Sequence, residues 1–206
     1  MRRTKAEAEE TRHRILNAAE RVFYAKGVSN ATLEDVAGEA GVTRGAIYWH
    51  FANKTDLFLA LYNSVKIPQE DMLEPDGAGG DTDALAFIEK NVAEWLDVME
   101  MDEQRQRILS ILLRCDYGDD LAPVLERQQE VDEHHTKLLV NAFASAMASG
   151  DLDARWTPQS AAKALRWMMK GLCSEWLLFG KRFDLATEGR EGLRRLFDSF
   201  RQTAAD

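Results

Sequence analysis

Residues 32–57 read TLEDVAGEAGVTRGAIYWHFANKTDL, and the reading of this stretch decides the fold. Thr32 stands where a helix N-cap belongs, with Asp35 three residues on in the place of the capping-box carboxylate. Leu33, Val36, Ala37 and Ala40 give the turns that follow one apolar side, and Gly41 breaks them. Thr43 offers the next cap, so the spacing predicts a second short helix over about Arg44 to Phe51. Asn53 caps a further helix that turns Leu57, Phe58, Leu61 and Val65 inward and ends before Pro68. Three capped helices follow one another, and nowhere is there a sustained alternation of β-branched residues or an Asn-Gly hairpin turn. The chain reads as all-α.

The pattern continues outward. Upstream, Ile15, Leu16, Ala19, Val22 and Phe23 form the stripe of a helix from about Thr4 to Lys26, with Gly27 as its left-handed cap. Downstream, residues 69–82 (QEDMLEPDGAGGDT) are acidic and rich in glycine, and read as a loop. Helices are expected beyond it at roughly 83–101, 103–115, 120–149, 158–181 and 187–203, with Pro123 and Pro158 in first turns. No repeat of solenoid period is visible.

Composition bounds the function. The 206 residues are 45% hydrophobic and 30% charged, enough to bury a substantial core. No apolar run approaches the roughly 20 residues of a membrane-spanning helix, and no apolar stretch follows the charged MRRTKAEAEE, so neither membrane nor secretory leader is expected. Cys115 and Cys173 are too few and too far apart for a disulfide framework or a zinc site, and His134 and His135 have no ligand partner at metal spacing. A cytoplasmic protein without cofactor or metal is the expectation. The net charge of −9 argues against a nucleic-acid partner, but it is unevenly spread. Residues 1–55 carry nine Lys/Arg against seven Asp/Glu; the rest carry 17 against 28. A short basic segment is thus set beside a strongly acidic remainder, as suits a chain that approaches a polyanion with one end.

Two short helices joined by a glycine turn, each opened by a threonine, have the features of a helix-turn-helix, whose second helix lies in the DNA major groove. The residue types suit that role. Thr43 opens the second helix with a hydroxyl and free backbone N–H groups for a phosphate. Arg44 is long enough for a guanine edge or a phosphate, and Gly45 and Ala46 let the backbone come close. Tyr48, Trp49 and His50 each bring a donor for the DNA backbone, and Lys54 adds a charge at the next helix start. Arg2, Arg3 and Lys5 suit an arm that trails into a minor groove.

Residues 32–57 closely resemble the signature of TetR-family transcriptional regulators, matching it at Thr32, Ala37, Ala40, Gly41, Val42, Gly45, Tyr48, His50, Phe51, Lys54 and Leu57. The upstream RRTKAEAEETRHRILNAAERVFYAKGV resembles that family's first helix, and RRTK with GVTRGAIYWHF is most similar to the AcrR-like branch of multidrug efflux repressors. The resemblance implies a homodimer that binds a palindromic operator on double-stranded DNA and leaves it when a small amphipathic or aromatic effector binds. It places Thr32 and Thr43 on phosphates through helix N-termini, Arg44, Gly45 and Ala46 towards bases, and Tyr48, Trp49, His50 and Lys54 on the DNA backbone. Phe51 and Leu57 would be core. Residues 1–52 would form the DNA-binding domain and 53–206 the ligand-binding and dimerisation domain.

The second part of the sequence says less. A helix over 158–181 has one apolar stripe of Ala161, Leu165, Met168 and Leu172 and another of Ala162, Met169, Cys173 and Trp176. A helix apolar on two sides must be covered on two sides. The second stripe, with Leu193, Phe197 and Phe200 of the last helix, is therefore assigned to a dimer interface. Large or polar residues on inward stripes, namely Trp95, Ile108, Leu112, His135, Leu139, Trp167 and Lys170, are the candidates for an effector pocket. Within the same family the alternative is a regulator of an unrelated metabolic or stress operon. Outside it, the alternative is a helical adaptor that binds protein and not DNA. No enzyme motif is present: no P-loop, no G-x-S-x-G and no His-Glu-x-x-His.

Overall fold

The computed structural model of the chain describes residues 5–64 and 83–201. Among them are nine α-helices: α1 (Lys5–Lys26), α2 (Leu33–Ala40), α3 (Arg44–His50), α4 (Lys54–Ser64), α5 (Ala84–Met101), α6 (Glu103–Leu113), α7 (Ala122–Ser149), α8 (Pro158–Leu178) and α9 (Leu185–Phe200). A single 3₁₀ turn, Asp119–Leu121, precedes α7. The only extended pairing among the described residues is an isolated bridge between Leu152 and Arg201. The expected arm at Arg2 and Arg3, the end of α4 at Val65 and the loop at 69–82 lie outside the described residues.

By contact the described residues form two compact units, one of residues 5–64 and 104–129, the other of 83–103 and 130–201. In the first, α1 packs against α2 and α4, and α2 against α3. The spacing of apolar residues dictates this. Ile15, Leu16, Ala19 and Phe23 of α1, Val36 of α2, Ile47 of α3 and Leu57, Phe58 and Leu61 of α4 are all buried. Phe23 meets Phe58 edge to face with ring centroids 5.5 Å apart, and Phe51 closes the core where α3 ends. Residues 53–64, placed with the second domain on sequence, cluster here with α1–α3.

In the second unit α9 packs against α5 and α8. Two glycines allow the approach. A Cβ added at Gly189 would stand 2.7 Å from Leu96 Cδ1 and 2.9 Å from Leu172 Cδ2, and one at Gly192 only 2.6 Å from Met168 Cε. Aromatic rings fill one end: Phe200 lies 4.9 Å from Trp156, 5.1 Å from Phe143 and 5.3 Å from Phe197, centroid to centroid. Two indole N–H groups are satisfied here, Trp156 donating to Ser199 O at 2.9 Å and Trp176 to Phe183 O at 3.0 Å.

Helix ends differ from expectation where a local cap outweighs the apolar pattern. α8 stops at Leu178 and not at 181, because Gly180 and Lys181 turn left-handed with φ of 81° and 57°. α9 starts at Leu185 and not at 187, because the Asp184 carboxylate accepts the N–H of Thr187 at 2.7 Å. It ends at Phe200, since Arg201 is extended and pairs with Leu152 and Glu89. α6 ends at Leu113, two residues short of the expected 115.

Candidate nucleic-acid interface

The geometry around α3 is built by its caps. Thr32 and Asp35 form a reciprocal box: the Thr32 hydroxyl oxygen accepts Asp35 N–H at 3.1 Å, and the Asp35 carboxylate accepts Thr32 N–H at 3.0 Å. Gly41, at φ 62° and ψ 38°, ends α2 in a Schellman turn in which Val42 N–H reaches Ala37 O at 3.0 Å and Gly41 N–H reaches Gly38 O at 3.2 Å. A left-handed residue here is best met by glycine. Thr43 then caps α3, its hydroxyl oxygen accepting Ala46 N–H at 3.2 Å. Asn53 does the same for α4 through Asp56 N–H at 2.8 Å. All four punctuation residues act as the sequence suggests.

On α3 only Ile47 is fully buried, which fixes the other faces outward. Trp49 is 71% and Tyr48 46% exposed; Thr43, Arg44 and Gly45 are exposed, and Ala46 and His50 half-buried. The Trp49 and His50 rings meet edge to face at 4.5 Å. The structure thus brings Thr43, Arg44, Gly45, Tyr48 and Trp49 together on one short rod open to solvent. Thr32 is exposed at the start of α2.

Lys54 differs from expectation. Its ammonium donates to the carbonyls of Val28, Ser29 and Ala31 at 2.8, 3.2 and 3.1 Å, tying α4 to the segment between α1 and α2. All three protons are spent inside the protein. Lys54 places α4 and is not held out as a surface charge.

Charge pairs between helices surround the motif, and local sequence pattern does not reveal them. Each carboxylate of α2 faces a cation of a neighbouring helix: Arg21 meets Glu39 at 2.6 Å, Lys26 meets Asp35 at 2.7 Å, and Arg44 meets Glu34 at 2.6 Å. The Lys26 hydrogen bond, with the N–H of Thr32, holds the Asp35 carboxyl down to about 2. Arg44 also donates to the Tyr48 hydroxyl at 3.2 Å, with its guanidinium carbon 5.3 Å from the ring centroid. Both contacts keep it cationic, the Tyr48 hydrogen bond foremost.

In the same unit a buried carboxylate, Glu20 of α1, accepts Gln104 Nε2 at 2.9 Å and Arg107 Nε at 2.5 Å from α6. With Asn17, Arg21 and Tyr24 these residues line a cavity of about 510 Å³. Glu20 carried a sequence signal, since it sits between Leu16, Ala19 and Phe23 on the inward stripe of α1. None of the expected effector residues lines this cavity. Of those, Ile108 and Leu112 are buried in the first unit, and Trp95 and Leu139 in the second. The buried indole N–H of Trp95 donates to no acceptor among the described residues. His135 is half-buried. Trp167 is 63% exposed, and Lys170 is exposed and paired with Asp132, so neither is enclosed within its unit. Burial works against the charge of Asp132, but hydrogen bonds from Lys170 and Arg166 keep its carboxyl below the ordinary range.

The expected interface residues lie mostly inside the chain. Ala162, Cys173, Trp176, Leu193, Phe197 and Phe200 are all buried inside the single chain, and Met169 is half-buried. Burial within the chain pushes the Cys173 thiol up to about 12. The uncovered apolar groups of α8 and its end are Trp167, Leu178 and Phe179, which are 63%, 43% and 60% exposed.

Residues 15–61 match the family described as bacterial regulatory proteins, tetR family, and residues 83–201 match the C-terminal region of MAATS-type transcriptional repressors. The chain belongs to the TetR family. It is 37% identical over 205 residues to the transcriptional repressor BepR of Brucella suis, covering 99% of this chain and 98% of that one. Among solved structures it resembles NalD, the secondary repressor of the MexAB-OprM multidrug efflux pump in Pseudomonas aeruginosa, with 34% identity, a TM-score of 0.87 and coverage of 97% and 100%. It also resembles SmeT in complex with triclosan, with 27% identity, a TM-score of 0.82 and coverage of 94% and 92%; SmeT represses the multidrug efflux pump SmeDEF of Stenotrophomonas maltophilia. TetR-family proteins are bacterial transcriptional regulators. No helix among the described residues is long and apolar enough to cross a membrane.

Proposed function

We propose that the chain is a cytoplasmic, homodimeric repressor of a multidrug efflux operon, released from a palindromic operator by a small amphipathic or aromatic effector. The observation that carries this reading is the outward face of α3. One buried anchor, Ile47, leaves a guanidinium, a phenol and an indole pointing into water on a helix of seven residues. Such a face contributes little to a core and has the donors that duplex DNA requires. Arg44, Gly45 and Ala46 approach base edges; Tyr48, Trp49 and His50 hold the phosphate backbone; Thr32 and Thr43 present helix N-termini to phosphates. Lys54 acts by holding α4 in place. Residues 1–52 carry recognition, and residues 53–206 carry effector binding and dimerisation, with α4 the first element of the latter by function.

Two copies set their α3 helices about 34 Å apart, or a multiple of that, to meet successive major grooves. The partner copy covers the face of α8 that holds Trp167, Gly171, Ser174 and Leu178, at helical spacing, with Phe179 at its end. Burying large apolar side chains of this kind contributes about 1.5–3 kcal/mol each. The effector, enclosed by apolar groups, gives an acceptor to the indole N–H of Trp95, since leaving that donor unmet costs about 1–3 kcal/mol. An effector that lowers operator affinity about 100-fold must favour the DNA-free conformation by about 2.7 kcal/mol.

The test is selection of bound duplexes from a random pool, followed by release with triclosan and related amphipathic aromatics. A twofold-symmetric consensus, with release by at least one compound, is expected. Failure to enrich any duplex overturns the DNA-binding reading, and a consensus with no release overturns only the effector part.

A further inference from the structure

Arg44 and Glu34 face each other across the turn between α2 and α3, with Nη1 and Oε1 2.6 Å apart. On its other side the guanidinium meets Tyr48 through Nη2 and the hydroxyl, at 3.2 Å. The group is thus held by an ion pair on one side and a hydrogen bond on the other, which leaves at least three of its five N–H donors for something outside the chain. The pair is exposed, at 62% and 54% for the two side chains, so it is easily exchanged in water. It stands on the face argued above to meet DNA, where a carboxylate is out of place.

We propose that Glu34 is a specificity-determining residue, which holds Arg44 ready for a base edge and withholds it from the phosphates of non-operator DNA. The proposal rests on the reading that α3 enters the major groove. A phosphate competes with Glu34 in kind, anion against anion. Taking Arg44 away leaves a bare carboxylate beside a polyanion. A guanine edge offers neutral acceptors, O6 and N7, so one amino group can stay on Glu34 while the remaining donors turn to the base. The carboxylate then keeps its counter-charge. Glu34 therefore weakens binding through phosphates alone and spares binding that reads bases. The other carboxylates of α2 provide the control, because Asp35 and Glu39 are paired with Lys26 and Arg21 of α1 and not with α3.

The experiment compares the full-length protein with Glu34→Gln and Glu39→Gln. Each is titrated with the duplex that the unmodified protein enriches from a random pool and with a scrambled duplex of equal length and composition, over a range of salt. Glu34→Gln is expected to bind the scrambled duplex roughly five- to tenfold more tightly, with a salt slope steeper by about one per subunit. Its affinity for the enriched duplex changes less than about twofold, so discrimination falls. Glu39→Gln leaves both affinities near their starting values. An equal rise on both duplexes, no change on either, or the same effect from Glu39→Gln overturns the proposal and leaves the DNA-binding reading intact. Failure of the unmodified protein to enrich any duplex overturns that reading and the proposal with it.

Discussion

Helices α3 and α8 each leave a tryptophan mostly in water, Trp49 at 71% and Trp167 at 63% exposure. Their surroundings differ. Trp49 stands among Arg44, Tyr48 and His50, groups that end in donors. Trp167 has the exposed Lys163 and Lys170 one turn away on α8, with the exposed Leu178 and Phe179 at the end of that helix. The first setting suits a ligand that is wet, anionic and full of acceptors; the second, with Leu178 and Phe179 bare at the helix end, suits a surface with an apolar patch of its own. Exposure of a large ring marks a place of contact, and the chemistry of its neighbours says with what.

The same comparison separates residues that hold the chain together from those that face a partner. Phe197 is fully buried in the ring cluster at the end of α9. Phe197→Ala should cost about 3–5 kcal/mol, read as a lower urea midpoint at unchanged slope. If only subunit association changed, the ring would belong to a dimer contact after all. Arg44→Ala is next, with about a 100-fold or greater loss of operator affinity in fluorescence anisotropy, since each of two copies loses a contact of about 1–3 kcal/mol. Fold and assembly should persist, and retained affinity would remove α3 from the groove. Trp167→Glu should give monomers in light scattering while shifting the stability of the single chain by about 0.5 kcal/mol or less. A full dimer at micromolar concentration would clear this face of α8 of the assigned role.

The smallest effect concerns acid. Asp35 is held down to about 2 in the folded chain against an ordinary 3.8. Its contribution to the start of α2 is therefore fully present above about pH 4 and is lost as pH falls from there through about 2. Asp35→Asn should flatten that part of the stability profile in acid titrations followed by circular dichroism. An identical profile would place the acid sensitivity elsewhere.

Much of the recognition motif was legible in the sequence because caps are local. Thr32 with Asp35, Gly41, Thr43 and Asn53 act over three or four residues, and each does what its position suggests. What escaped depends on angles between helices. The pair of Glu34 with Arg44 exists because α2 and α3 cross at a particular turn, and the carbonyls taken by Lys54 lie 23 to 26 residues upstream. Similarly, both apolar stripes of α8 are visible in the sequence, but periodicity does not say that the chain itself buries residues of both, Ala161 and Leu165 of one and Ala162, Cys173 and Trp176 of the other. Gly189 and Gly192 mark the close approach in the sequence. Small residues on α9 let it come close to Met168 and Leu172 of α8 and to Leu96 of α5.

The triple hold of Lys54 bears on which replacements count as conservative. Its tetrahedral ammonium aims three protons at three converging carbonyl oxygens from one point. A guanidinium has the same charge and more protons, but spreads them in a plane, where they cannot converge so. Arginine at this position would preserve electrostatics and lose shape, and the segment ahead of α2 would lose its anchor although the tally of charges stayed the same.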